Sequence, residues 1–182
     1  QLETATQYNK YFAATGNNPD PADDVGAFAD GLNATAAGDA SNALGDGASA
    51  FGSGAFAGGI EATAIGFNAT SSADGALAIG AMADASTIEA VAVGYAATAS
   101  GATATAVGAE SVASGEESAA FGFQADASGD FATAVGVASS ASGFNSSAFG
   151  NASTASGDDS VAVGSDSTAS GTGSTAVGQG SI

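Results

Sequence analysis

Hydrophobic and polar residues alternate along this chain in a pattern that repeats every 14 residues. The most regular feature is an Ala-apolar-Gly triplet, which ends at Gly52 and recurs with unchanged spacing up to Gly178. A second triplet, Ala-Ser-Gly, follows seven residues later, as at 155–157 and 169–171, and decays toward the N-terminus. Self-similarity at a fixed short period indicates a solenoid, in which each repeat is one coil. A degenerate eleventh coil is expected at residues 36–38.

Each repeat divides into two similar halves. Residues 160–164 read Ser-Val-Ala-Val-Gly, and residues 167–171 read Ser-Thr-Ala-Ser-Gly. Alternation with a period of two predicts a β-strand in each half. The glycines and the Asp, Asn or Glu residues that follow them predict tight turns. A helical repeat would need heptad spacing and few glycines. We therefore predict an all-β fold, a single-stranded solenoid with two five-residue strands in each coil.

The two faces of each predicted strand differ in side-chain size. Positions equivalent to Ser160, Ala162 and Ala169 are almost always Gly, Ala or Ser, and we expect them to point inward, since a 14-residue coil has room for little more. The second strand then presents mostly Ser and Thr to solvent. The first strand presents one large apolar residue per coil, which we call the apolar stripe: Phe51, Ile65, Ile79, Val93, Val107, Phe121, Val135, Phe149, Val163 and Val177.

An outward apolar stripe of this length needs an explanation. Each residue would gain roughly 1.5–3 kcal/mol if it were buried, and monomeric proteins rarely leave so large a patch in water. One alternative inverts the inward and outward positions, so that the stripe becomes an ordinary core and Ala and Gly face outward. We favour the other, in which identical chains associate through the stripe in a closed ring.

Composition and charge exclude several functions. The 182 residues include 28 Gly but no His and no Cys, and 19 Asp and Glu stand against a single basic residue, Lys10. The net charge of −18 disfavours nucleic acid and anionic lipid as partners, because both are bound through Lys and Arg. Without His and Cys, the chain lacks the commonest acid–base group and the preferred zinc ligands. We expect no enzymatic activity, no catalytic residues, no cofactor, no metal and no direct insertion into a membrane.

The in-phase motifs Ser-Val-Ala-Val-Gly at 160–164 and Ala-Ser-Gly at 169–171 resemble the YadA-like head repeat of trimeric autotransporter adhesins of Gram-negative bacteria. The resemblance runs from about Gly38 to Gly178, and Lys10-Tyr11-Phe12 also resembles the opening of such heads. It implies a left-handed parallel β-roll that assembles as a parallel homotrimer, with the apolar stripe as the trimer interface. A dimer would also bury the stripe, and the preference for three chains comes from the resemblance.

The same resemblance implies a function in cell adhesion at the bacterial surface. Such heads bind host matrix proteins such as collagen, fibronectin or laminin, or abiotic surfaces, and often each other. We expect this chain to be an excised head that is anchored to the outer membrane through parts absent from it. The alternative is a non-adhesive structural or ice-binding β-solenoid. Four threonines share one outward column, Thr70, Thr98, Thr154 and Thr168, but other residues interrupt it.

Residues 1–35 and 36–182 are expected to differ in role. The first segment contains Tyr8, Tyr11 and two prolines and does not follow the repeat, so it is a candidate cap for the open end of the solenoid or a carrier of binding specificity. The second segment carries the coils. Adjacent carboxylates at Glu116-Glu117 and Asp158-Asp159 fit turns better than a metal or catalytic site. Three aromatic residues in alternate coils, Phe67, Tyr95 and Phe123, fit either packing between chains or ligand anchoring.

Overall fold

Two short parallel strands in every repeat make up the secondary structure of residues 26–182, the part of the chain that the computed structural model describes. No helix interrupts these residues, and none that could span a membrane lies among them. The strands are β1 Phe28–Ala29, β2 Thr35–Ala37, β3 Asn42–Ala43, β4 Ser49–Phe51, β5 Phe56–Ala57, β6 Thr63–Ile65, β7 Thr70–Ser71, β8 Leu77–Ile79, β9 Asp84–Ala85, β10 Val91–Val93, β11 Thr98–Ala99, β12 Thr105–Val107, β13 Val112–Ala113, β14 Ala119–Phe121, β15 Asp126–Ala127, β16 Thr133–Val135, β17 Ser140–Ala141, β18 Ser147–Phe149, β19 Thr154–Ala155, β20 Val161–Val163, β21 Thr168–Ala169 and β22 Thr175–Val177.

The strands form two parallel sheets of 11 strands each. One sheet contains the even-numbered strands of three residues, and the other contains the odd-numbered strands of two residues. Every strand pairs with the strand one coil away, so that Val93 lies opposite Val107 and Thr98 lies opposite Val112. The predicted all-β solenoid with 14-residue coils is confirmed, including the degenerate coil, where Ala36 pairs with Ala50. The predicted strand length of five residues is wrong, because the chain enters the turns earlier and leaves strands of three and two residues. The left-handed sense and the homotrimer stay predictions.

Small side chains fill the space between the two sheets. Among the described residues, every buried apolar residue is an alanine, and the buried polar residues are serines such as Ser111 and Ser160. In β12 the central Ala106 is fully buried, whereas its neighbour Val107 is only half-buried. The predicted inward and outward positions are therefore confirmed, and the alternative in which the apolar stripe forms the core of the single chain is wrong. Alanine fits because larger side chains would push the sheets apart.

Two turns join the strands of each coil, and both depend on backbone conformations that side chains disfavour. The first turn follows the three-residue strand and begins with glycine, as at Gly108, where φ is +139°. A Cβ atom at Gly108 would overlap the carbonyl oxygen of Gly122 in the next coil. Glycine is therefore required there by both φ and space. The second turn is less strict, since Ala73 and Thr87 replace its glycine in two coils, which accounts for the decay of the second motif.

The regular register extends farther toward the N-terminus than the boundary predicted at residue 36. Strand β1 pairs with β3, with Phe28 opposite Asn42, so that two strands of the solenoid begin before that boundary. Lys10, Tyr11 and Phe12 lie outside the described residues, as does most of the segment 1–35. Its role as a cap or as a carrier of specificity stays a prediction.

Candidate interaction surface

The apolar stripe occupies the last residue of each three-residue strand from β4 to β22. Equivalent residues of successive coils pair directly, so that Phe121 lies between Val107 and Val135 along the sheet. Seven of the ten stripe residues are exposed and three are half-buried in the single chain. Phe121 is 40% exposed, whereas the adjacent Ala120 is fully buried. The structure therefore brings all ten predicted interface residues into one continuous outward column.

Other apolar residues widen this surface on both sides. Leu77, Val91 and Val161 begin their strands and are half-buried on the same face of the sheet. At the first turn, Phe67, Tyr95 and Phe123 lie two residues after a stripe residue and are 46–56% exposed. The three aromatic residues therefore continue the stripe around the edge of the solenoid. Packing between chains and ligand anchoring both stay predictions for these three residues.

The opposite edge of the solenoid, formed by the second turns, was not predicted as a surface. Exposed apolar residues lie there beside acidic residues. The apolar residues are 42–72% exposed and comprise Leu32, Ile60, Ile88, Phe131 and Phe144. The rings of Phe131 and Phe144 meet edge to face, with centroids 5.5 Å apart and an interplanar angle of 80°. A signal was present in the sequence, since apolar and acidic residues alternate at the middle turn position every 14 residues from Leu32 to Ile88. We call these turns the second-turn edge.

Aspartates on the second-turn edge form hydrogen bonds between consecutive coils. The Asp74 carboxylate accepts a hydrogen bond from the Ile60 backbone N–H at 2.8 Å, and Asp158 accepts one from the Phe144 N–H at 3.1 Å. Both bonds join consecutive coils and pair an amide at the exposed tip of the turn. The interpretation of Asp158 as a turn residue is therefore confirmed. Among the described residues, no group of three or more acidic side chains could hold a metal ion.

The outer face of the two-residue sheet carries the interrupted threonine column. Asp84 pairs with Thr70 on one side and Thr98 on the other. Burial raises the pKa of the half-buried Asp84 carboxyl, and its Oδ1 atom is buried without a hydrogen-bond partner. A second aspartate, Asp126, interrupts the same column. Charge at these positions breaks the uniform hydroxyl array that the ice-binding alternative would use.

Comparison with known proteins shows that a family model matches the repeats of this solenoid. The family model of the YadA head domain repeat (2 copies) matches residues 29–55, 57–81, 85–111, 113–139, 141–167 and 155–181. Among solved structures, the chain is similar to the crystal structure of the collagen-binding domain of the Yersinia adhesin YadA, with 26% identity over 93% of this chain and 81% of that chain and a TM-score of 0.46. No curated protein matches the chain.

Proposed function

The chain belongs to the YadA head family, and from this premise we propose that it is the binding head of a bacterial surface adhesin. The observation that carries the proposal is the repetition of the family match along the coils. Successive matches extend from residue 29 to residue 181, which is nearly the whole described solenoid. Adhesion on such a scaffold relies on extended surfaces rather than on a pocket, and the two sheets and two edges of the solenoid provide them.

We also propose that the head is a parallel homotrimer held together by the apolar stripe. The interior of one chain consists of Ala and Ser, which bury little apolar area each. Stripe residues such as Phe121 and Phe149 are 40% exposed in the single chain, so association would remove further apolar area from water. In parallel copies in register, equivalent residues of each coil meet at one level around the axis. The number of chains, three rather than two, rests on the family.

Host matrix proteins such as collagen, fibronectin and laminin are the proposed ligands, together with abiotic surfaces and other copies of the head. We propose display at the cell surface, where such ligands are met. No catalytic role is proposed. The acidic charge of the chain argues against anionic polysaccharides as ligands, because these are bound through Lys and Arg.

The test is binding of the purified chain to immobilised collagen, fibronectin, laminin and an uncoated plastic surface, with serum albumin as the control surface. We expect saturable binding to at least one matrix protein or to the plastic, and none to albumin. An ice-recrystallisation assay on the same sample tests the alternative solenoid function. Inhibition of ice growth without binding to any surface of the panel would overturn the adhesin proposal.

A further inference from the structure

The second-turn edge carries an aromatic pair between two pairs of acidic residues. In four successive coils it presents Glu116 and Glu117, then Phe131 beside Asp130, then Phe144, and then Asp158 and Asp159. The two phenylalanine rings are 42% and 50% exposed, and they contact each other rather than the interior. We call these seven residues the acidic-aromatic patch. It lies on the edge opposite the aromatic residues that border the apolar stripe.

The backbone at Phe131 is unusual for an aromatic residue. Its φ is +59°, a left-handed conformation in which bulky side chains are rare. Six of the other ten coils place Gly, Asn or Asp at this turn position, and four place Glu or Thr there, such as Glu89 and Thr103. The chain therefore carries an exposed ring at a position where its backbone disfavours one. Phe131 is the single aromatic residue at this position among the described coils.

Charge defines what could occupy the patch. Asp159 accepts a hydrogen bond from the Asn145 side chain at 2.8 Å, and Asp158 accepts one from the Phe144 backbone N–H, so both partners are neutral. The sequence contains no basic residue other than Lys10, so none of residues 26–182 can neutralise these carboxylates. An occupant with cationic side chains would pair with the carboxylates, and a cation over an aromatic face gains further attraction.

The distance between the two acidic pairs limits the kind of peptide that could bind. The first acidic pair lies three coils from the second, which is about 14 Å at the usual distance between neighbouring strands. An extended peptide advances about 3.4 Å per residue, so basic residues about four positions apart reach both acidic pairs. We propose that the acidic-aromatic patch binds extended, arginine-rich peptide segments of partner proteins. This inference goes beyond the proposed adhesive role, because it names an edge of the head and the chemistry that the edge selects.

The test measures binding of a fluorescent hexapeptide, Arg-Arg-Ser-Ser-Arg-Arg, by anisotropy, with Glu-Glu-Ser-Ser-Glu-Glu as the control peptide. Replacing both aromatic residues, Phe131→Asn with Phe144→Ser, should weaken binding about tenfold through loss of the cation–π contacts. Glu116→Gln with Glu117→Gln should weaken it about threefold at low ionic strength. The Asn at position 131 suits a left-handed backbone, so the single variant Phe131→Asn should be at least as heat-stable as the wild type. Loss of peptide binding in the single variant Phe131→Asn would therefore not reflect unfolding.

Matched controls use the same turn in other coils. Glu61→Gln with Glu89→Gln removes the same charge, and Ile60→Ser with Ile88→Ser removes similar apolar surface, so both should bind the peptide within about twofold of the wild type. Equal loss in the control variants would show only diffuse attraction to an acidic rod and would overturn the proposal. Absence of binding by the wild type would do the same. A changed oligomeric state of Phe131→Asn in light scattering would instead make the patch a contact between copies. Binding to immobilised collagen, fibronectin, laminin and plastic tests the proposed adhesive role separately.

Discussion

Ala106 and Val107 are consecutive residues of β12, yet the first is sealed between the two sheets and the second lies half-exposed on the outer face. The same relationship recurs in every coil from β4 to β22, because each three-residue strand places alanine at its centre. The small residue lets the sheets approach, and the large one is left on the outside. One alternation of side-chain size thus specifies both the narrow interior and the apolar stripe.

We expect the first-turn glycines to be required for stability, because the next coil packs directly against them. Gly108→Ala introduces a strained positive φ and a Cβ that overlaps the Gly122 carbonyl oxygen, so we expect a loss of about 3 kcal/mol or more in the free energy of unfolding. Gly178→Ala is the matched control, since φ is also positive but no atom lies within 4 Å of the added Cβ. It should cost only about 1–2 kcal/mol. Chemical denaturation measures both, and equal losses would show that stacking does not contribute.

Two buried serines should respond in opposite directions to alanine substitution. The Ser111 hydroxyl donates to the Gly108 carbonyl oxygen at 2.8 Å, whereas the Ser118 hydroxyl is buried without a partner. Ala97 and Ala104 occupy the equivalent positions one coil earlier, so alanine fits at both sites. We expect Ser111→Ala to lower the free energy of unfolding by about 1 kcal/mol and Ser118→Ala to raise it by about as much. Thermal and denaturant unfolding test this, and a loss in both variants would contradict it.

Asp84 should make the fold less stable at neutral pH than in mild acid. Burial raises the pKa of its carboxyl, so the folded chain keeps this proton to a higher pH than the unfolded chain, in which an Asp titrates near 3.9. Its contribution to stability is therefore lost as pH rises from about 4 through the raised folded pKa. Asp84→Asn should be more stable than the wild type at pH 7, with the difference shrinking below about pH 4.

The control for Asp84 is Asp166→Asn, which removes one charge at an exposed turn. General relief of repulsion in so acidic a chain would stabilise both variants to a similar extent. A clearly larger effect at Asp84 in urea unfolding across pH 3–7 supports the burial argument. Similar curves for the two variants would assign the effect to net charge instead.

The repeat made most of this fold predictable from the sequence. Strict 14-residue spacing from Gly52 to Gly178 marks the coils, and the size difference between Ala162 and Val163 indicates which side faces inward. Both signals follow from steric rules that every coil must obey, so averaging over coils strengthens them. The beginning of the register at Phe28 was missed, because its coil keeps the strand pattern but lacks the Ala-apolar-Gly triplet.

The second-turn edge escaped prediction for a physical reason. Turn tips lie in solvent, so they accept Ile60, Asp74 or Phe144 at one position without disturbing the coil. Apolar and acidic residues alternate at this position only from Leu32 to Ile88, so the signal is short and much weaker than that of the glycines. The hydrogen bonding of the buried serines could not be predicted from the sequence either. Ser111 and Ser118 each lie three residues after a turn glycine, and only the different geometry of the two turns gives one of them a partner.

A single charge in the apolar stripe tests the proposed assembly. Val107 is half-buried in the single chain and pairs with Val93 and Phe121, so equivalent copies in a parallel assembly would bring this position together near the axis. Val107→Asp would then place like charges together out of water, at a cost of several kcal/mol per unpaired charge. Thr168→Asp is the control, because it lies on the outer face in the column where the chain already carries Asp84 and Asp126.

We expect the wild type and Thr168→Asp to sediment as trimers, with a small loss of thermal stability in Thr168→Asp, and Val107→Asp to dissociate or to unfold at a markedly lower temperature. Sedimentation equilibrium gives the mass, and circular dichroism follows the melting of the sheets. In a monomer Val107 is only half-buried, so the same substitution would cost no more than an aspartate on the outer face of the other sheet, such as Asp84. A monomeric wild type, or a Val107→Asp variant as stable as Thr168→Asp, would therefore show that the stripe does not hold copies of the chain together.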